Sequence, residues 1–312
     1  MTNKFTAYGI PIFSSVNLPA FVETSEVTDE VKPIVVKIGK VPDELENAPL
    51  VKKPFSVFNE HEFLYRLPGV ARYYVRNGEE VIIEPICDNQ EDILLYFYSN
   101  CMAAALYQRN LIPFHVSGVF IEDNKVVLFA APSRTGKSTT SVMLQQKGYA
   151  PFTDDTAILN VENGKCYAYA SYPMMRLWEN TLKNQTLLHE SEKQLLRKNI
   201  EINKFGFSFH DRFVAEKVEV VGMVHMALEG DEVRISKLNQ SDAVELMSTN
   251  VYRKQWIKGM RKNVVQFRHL IDVANVLPAW KATRPKNKST FTLFADTIES
   301  QVIETLKQEA IF

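Results

Sequence analysis

Residues 131 to 138 read Ala-Pro-Ser-Arg-Thr-Gly-Lys-Ser. They fit the spacing G-x-x-x-x-G-K-[ST] of a loop that cradles phosphates, with Ala131 in place of the first glycine. In such a loop successive backbone N–H groups and the N-terminus of the following helix converge on an anion. Gly136 lets the backbone approach closely, Lys137 neutralises the β- and γ-phosphates, and the Ser138 hydroxyl ligates Mg²⁺. Ser133, Arg134, Thr135 and Thr139 complete the expected nucleotide-binding set. Ala131 and Thr135 place side chains where glycine is preferred, which adds a steric cost wherever φ must be positive. The bland alternative is a strand-to-helix turn that happens to contain Gly-Lys-Ser.

Asp154 and Asp155 follow, beginning 17 residues beyond Lys137. Adjacent carboxylates suit phosphoryl transfer, because one can hold Mg²⁺ while the other accepts the proton of an attacking hydroxyl. Asp154 is read as the base and Asp155 as the metal partner. In most motor and transporter ATPases the corresponding acid ends a long apolar strand farther along the chain. Here Pro-Phe-Thr precedes the pair, which favours a kinase; turn or capping aspartates are the alternative. His115, in Pro-Phe-His-Val-Ser-Gly, meets the acids if its strand neighbours the loop strand, and is otherwise a structural histidine. Arg176, in Tyr-Pro-Met-Met-Arg-Leu-Trp, could pair with a transferring phosphoryl group or an acidic acceptor, or be a surface arginine.

The elements that must position these residues read as follows. An apolar run Lys125–Ala130 feeds the loop, and Val116–Phe120 before it reads as its partner strand. Ser138–Lys147 reads as a helix ended by Gly148, Tyr149–Asn160 as a strand, and Asn163-Gly164 as a hairpin turn. Upstream, Val35–Gly39, Phe63–Arg66, Arg72–Val75 and Glu80–Glu84 read as strands, with Asn77-Gly78 supplying the positive φ of a tight hairpin. Leu45–Asn59 reads as loop, and Glu91–Arg109 as one continuous buried helix capped by Asp88 or Asn89. Downstream, Ser191–Ile200 reads as helix, and Val218–Ala227 and Glu232–Ile235 as strands. Asp242–Leu277 reads as a long helical tract, Thr290–Phe294 as a strand and Asp296–Glu309 as a helix. The expected division is a β-rich domain over 1–90, a linking helix over 91–112 and a kinase domain with C-terminal helices over 113–312.

With 312 residues, of which 46% are apolar, the chain can bury sizeable cores. A formal charge of -1 and a pI near 6.6 speak against wholesale attraction to nucleic acid or an anionic membrane. Arg253, Lys254, Lys258, Arg261, Lys262 and Arg268, followed by Lys281, Arg284, Lys286 and Lys288, read as a solvated helix face or as a cradle for an acidic acceptor or the nucleotide. The aromatic residues among them are too sparse for a nucleic-acid stacking platform. Three cysteines without metal-ligand spacing read as reduced residues of a cytoplasmic protein. The most apolar stretch, Ile93–Leu106, is too short to span a bilayer.

The segments Pro113-Phe-His-Val-Ser-Gly, Ala131 to Ser138, Thr153-Asp-Asp-Thr and Tyr172-Pro-Met-Met-Arg-Leu-Trp, in that order, resemble the HPr kinase/phosphorylase-like kinases. The likeness is greatest to a branch of stand-alone serine kinases that includes lasso-peptide precursor kinases. Thr6-Ala-Tyr-Gly-Ile, Phe63 to Arg72 and Tyr252-Arg-Lys also look like that branch. The resemblance implies an α/β P-loop kinase core of the HPr kinase and phosphoenolpyruvate carboxykinase type, behind a β-rich N-terminal domain. It implies ATP and Mg as cofactors, a serine hydroxyl of a peptide or small protein as acceptor, and His115 with the Asp-Asp pair as active-site residues. No Glu-Ile-Arg-Gly-type segment follows the acid pair, which argues against regulation of HPr and reverse phosphorolysis. A kinase of a small hydroxylated metabolite and a non-catalytic nucleotide-binding scaffold are the competing readings, and a homo-oligomer is compatible with each.

Overall fold

The computed structural model describes residues 2–25, 31–132, 135–178, 193–197 and 204–309. The fold is mixed α/β and divides into two units, Met1–Pro113 with Tyr252–His269, and Phe114–Val251 with Leu270–Phe312. The helical stretch 91–112 lies in the first unit, as does Tyr252–His269, which the sequence reading assigned to the later domain. Among the described residues no helix is long and apolar enough to cross a membrane.

The first unit is built on a β-rich sheet, as expected. Its strands run in the order Val22–Glu23, Asn3–Ala7, Ile10–Ser14, Ile34–Ile38, Glu80–Pro85, Ala71–Arg76, Glu62–Leu67, Ser56–Phe58 and Val51–Lys52. The hairpin turn falls on Asn77 and Gly78, at φ 53° and 65°. Gly78 is needed twice over, for its positive φ and because a Cβ there would lie 2.7 Å from the Ala105 carbonyl oxygen, and its N–H donates to Gln108 Oε1 at 2.6 Å. The turn is thereby tied to the helical stretch. That stretch is not one regular helix but Gln90–Tyr96, a π turn at Phe97–Cys101, and Met102–Gln108. The Ser99 hydroxyl donates to the Leu95 carbonyl at 2.8 Å, back-bonding of the kind that disturbs a regular ladder. The expected loop 45–59 also contains two short strands, because buried Phe58 packs on Phe63 and Trp256.

Glu62 is a buried charge of the first unit, at 1% exposure. Its carboxylate accepts from Tyr74 Oη (2.6 Å), the Glu46 and Asn47 amides (2.8 and 3.0 Å), Asn47 Nδ2 (3.0 Å) and Asn59 Nδ2 (3.1 Å). Burial alone would raise its pKa, but the donors from Tyr74, Asn59, Asn47 and the Glu46 backbone outweigh that and hold it down to about 2. A carboxylate depressed in the folded state stabilises above its unfolded pKa, and the contribution fades as pH falls from about 4.5 towards 2. Glu62→Gln is expected to cost about 2–3 kcal/mol at pH 7, since it removes charge-assisted bonds and leaves buried donors competing with an amide. Urea unfolding at pH 7 and near pH 3 checks this. The gap between wild type and variant must narrow at the lower pH, and an unchanged gap contradicts the assignment.

The second unit's main sheet includes, in spatial order, Ala157–Glu162, Lys165–Ala170, Val218–Leu228, Lys125–Ala130, Val116–Glu122 and Pro151–Thr153. Lys125–Ala130 and Ala279–Arg284 are both parallel to Val218–Leu228, and Arg234–Lys237 is antiparallel to Ala279–Arg284. Residues 126–130 are wholly buried, as expected of a strand flanked on both edges and covered on both faces. Phe129, Val127, Val224 and Ala282 share a core with Phe294, Ile298 and Val302.

Four expectations fail here. Thr290–Phe294 alternates like a strand, yet Phe291–Ile298 is helical, because only a helix brings Phe294, Ile298 and Val302 to one face of the core. Asp242–Leu277 is not one helical tract: Gln240–Thr249 and Asn263–Val276 are separated by a segment in which Arg253 and Arg261 take φ of 56° and 55°. Within the expected helix 191–200, Lys193–Arg197 is a strand paired with Lys204–Ser208, and the rest lies outside the described residues. Tyr149–Asn160 is two strands, Pro151–Thr153 and Ala157–Glu162, with the acid pair in the gap between them.

Candidate active site

The sequence order strand, turn, helix is realised around residue 131. Lys137–Gln146 is a helix whose first residue follows Gly136, at φ 113° and ψ 21°. The Thr140 amide donates to the Gly136 carbonyl at 2.8 Å, closing the first turn. A left-handed residue followed by helical ones aims consecutive N–H groups at one point, a ready anion site reinforced by the helix dipole. A Cβ on Gly136 would lie 2.9 Å from Phe291 Cε1, so both backbone and space require glycine. The helix's far end is fixed by Lys147, paired with Asp296 (2.7 Å) and Glu299 (2.6 Å).

The strain expected at Ala131 is absent, since its φ is not positive. Ala131 instead puts its methyl into the core with Phe129 and Val224. Lys137 is 7% exposed, and its ammonium donates to the Ala131 carbonyl at 2.7 Å, bending the lysine back across the loop. Ser138 and Thr139 are half-buried on the first helical turn, and Ser133 and Arg134 lie outside the described residues.

Strand register brings His115 and the acids to the same sheet edge as the loop. Val116 pairs with Ala130 and Gly118 with Leu128, while Gly118 also pairs with Thr153 on its other side. Both outer strands run antiparallel to the one between them, so residues after Ala130 and after Thr153 leave the sheet in one direction. Two strand spacings separate them, about 10 Å. His115 sits in the middle strand's continuation, and its Nδ1 lies 2.8 Å from the Asp155 carbonyl oxygen. A carbonyl only accepts, so Nδ1 carries the proton. The His115 amide donates to the Asn250 carbonyl at 2.8 Å, which holds the histidine's backbone.

Asp154 and Asp155 are 6% and 8% exposed. Their corner is built by hydrogen bonds: Thr153 Oγ1 donates to the Thr156 carbonyl at 3.2 Å, as does the Ser171 amide at 3.1 Å. The Tyr172 hydroxyl donates to Asp155 Oδ2 at 2.8 Å and sets that carboxylate's orientation. A carboxylate oriented in this way and the Ser138 hydroxyl are hard oxygen ligands of the kind that suit Mg²⁺, which takes one or two side chains besides phosphate and water.

Tyr172 and Ser171 were not singled out for this site from the sequence, and Arg284 entered only within a basic run read as a solvated face or as a cradle for an acidic acceptor or the nucleotide. Of the first two, Tyr172 carried a signal, its place in Tyr-Pro-Met-Met-Arg-Leu-Trp. Arg176 is in the strand Met174–Trp178, paired with Gly206, and its side chain lies outside the described residues. The basic stretch 253–268 belongs to the first unit and is not a single helix face. There Lys262 is buried against Asn110 (2.8 Å), and the Arg253 guanidinium lies over the Tyr252 and Trp256 rings at 5.2 and 5.5 Å.

No protein-family model matches the sequence, and no curated protein matches it. Among solved structures it is similar to the structure of the Hpr(Ser) kinase/phosphatase from Coxiella burnetii, at 14% identity and a TM-score of 0.30. The match covers 63% of this chain and 98% of that one. A TM-score of this size lends the site no support of its own.

Proposed function

We propose that the chain is an ATP- and Mg-dependent kinase with a P-loop core, and that it transfers the γ-phosphoryl group to a serine hydroxyl of a peptide or small protein. The observation that carries the reading is the convergence on one sheet edge of the glycine-turned loop, His115 and an acid pair oriented by Tyr172. Phosphoryl transfer asks a protein mainly for positioning and charge stabilisation, and these residues supply both. The loop amides and Lys137 hold the triphosphate tail, joined by Ser133, Arg134, Thr135 and Thr139. Ser138 and Asp155 would hold Mg²⁺, which when bound neutralises phosphate charge. Asp154 accepts the acceptor hydroxyl's proton, His115 holds the acid corner, and Arg176 meets the acidic end of the acceptor. The motif order resembling HPr kinase/phosphorylase-like kinases supports the serine acceptor.

Incubation with γ-labelled ATP, Mg²⁺ and a panel of serine-containing peptides and free hydroxylated metabolites tests the reading. The expected result is label on peptide serine, dependent on Mg²⁺. Label confined to a metabolite replaces the acceptor class, and nucleotide binding without transfer to any acceptor or to water leaves a scaffold.

A further inference from the structure

Arg284 ends the strand Ala279–Arg284 and is 5% exposed. Its Nη2 donates to the Thr135 carbonyl at 2.9 Å, and its guanidinium lies 4.0 Å over the Phe291 ring. Among the described residues no carboxylate pairs with it, and its buried Nε has no partner. A buried cation without an anion is costly, because desolvation is not offset by charge pairing. Burial accordingly pulls its pKa below the usual arginine value. The position of this charge is informative: Nη2 lies 3.3 Å from where a Cβ on Gly136 would stand.

The Thr135 carbonyl and the Gly136 N–H belong to one planar peptide and point in opposite directions. Holding the carbonyl therefore fixes the amide. With Gly136 in the left-handed region, that amide joins those of the first helical turn in the anion nest. We propose that Arg284 is a positioning residue of the phosphate loop, which locks the peptide between Thr135 and Gly136 so that its N–H faces a bound oligophosphate and whose charge adds to the attraction. The inference rests on the nucleotide-binding reading above. Phe291 completes the clamp by covering Gly136 and stacking on the guanidinium.

The test is direct titration of wild type, Arg284→Met and Arg284→Lys with ATP, ADP and AMP in the presence of Mg²⁺, with thermal melts to establish folding. Arg284→Met is expected to weaken ATP and ADP by about 10- to 100-fold, the effect of losing a charged hydrogen bond, while AMP, which lacks the β-phosphate, changes little. Arg284→Lys keeps charge but loses the planar fork, and is expected to lose about tenfold for ATP. If the methionine variant does not fold, the lysine variant decides by the same comparison. Unchanged ATP and ADP affinity in a folded variant overturns the proposal, and so does an equal loss for AMP, which would mark general collapse. Wild type that binds neither ATP nor ADP overturns the nucleotide reading itself, a result distinct from either of these.

Discussion

Lys137→Ala is expected to lower the rate of phosphoryl transfer by about 10²- to 10³-fold, the usual effect of removing one preorganised charge from a site that stabilises a transition state. The side chain has two tasks in the structure. Its ammonium bonds the Ala131 carbonyl at 2.7 Å, closing the loop on itself, and in the proposed reading the same charge neutralises the phosphates. Lys137→Met keeps the apolar stem and removes only the charge, so comparison with alanine isolates packing from electrostatics. Single-turnover transfer from γ-labelled ATP is the measurement. A methionine variant within about threefold of wild type would falsify the placement of phosphates at this loop.

The second large effect concerns the acids. Asp155→Asn and Asp154→Asn preserve volume and should leave nucleotide binding measurable, while each lowers transfer by about 10²- to 10⁴-fold. Their signatures should differ. In the Asp155→Asn variant the new side chain's amide oxygen can still accept the Tyr172 hydroxyl, so the corner keeps its shape while the cation loses a charged ligand. The Asp155 variant is therefore expected to need more Mg²⁺ for half-maximal rate, and the Asp154 variant to lose rate at every Mg²⁺ concentration without that displacement. Rates varied over Mg²⁺ for both variants settle the division of labour. Reversed signatures exchange the roles, and unchanged turnover in both removes the acids from the chemistry.

Much of the local architecture around these residues was legible because short-range chemistry dictates it. Asn77-Gly78 and Asn163-Gly164 take the positive φ that their residue types favour, and Gly136 turns the chain where the motif requires. The meeting of His115 with Asp155 was foreseen conditionally, since adjacency of the first two strands was enough to predict it. The failures have a common origin in long-range packing. Nothing local in Thr290-Phe-Thr-Leu-Phe opposes a strand; the helix there answers a core contributed by residues far earlier in the chain, such as Val224. The break within 149–160 depends on bonds from Thr153, Ser171 and Tyr172 that form only once the corner has folded. Arg284 entered only within a basic run read as a cradle or a solvated face, and its contact with the loop was not legible, because its partner Thr135 is 149 residues away.

That separation bears on how portable the loop is. Residues 125–146 contain the phosphate motif as this chain has it, with Ala131 for the first glycine, yet the wall behind Gly136 is made by Arg284 and Phe291, from a strand and helix near the far end of the chain. Grafting the motif into another α/β host, or expressing a fragment that stops before Ala279, would transfer the pattern without its backing. Searches and designs guided by the short pattern alone would count such a piece as competent when half of its grip is missing.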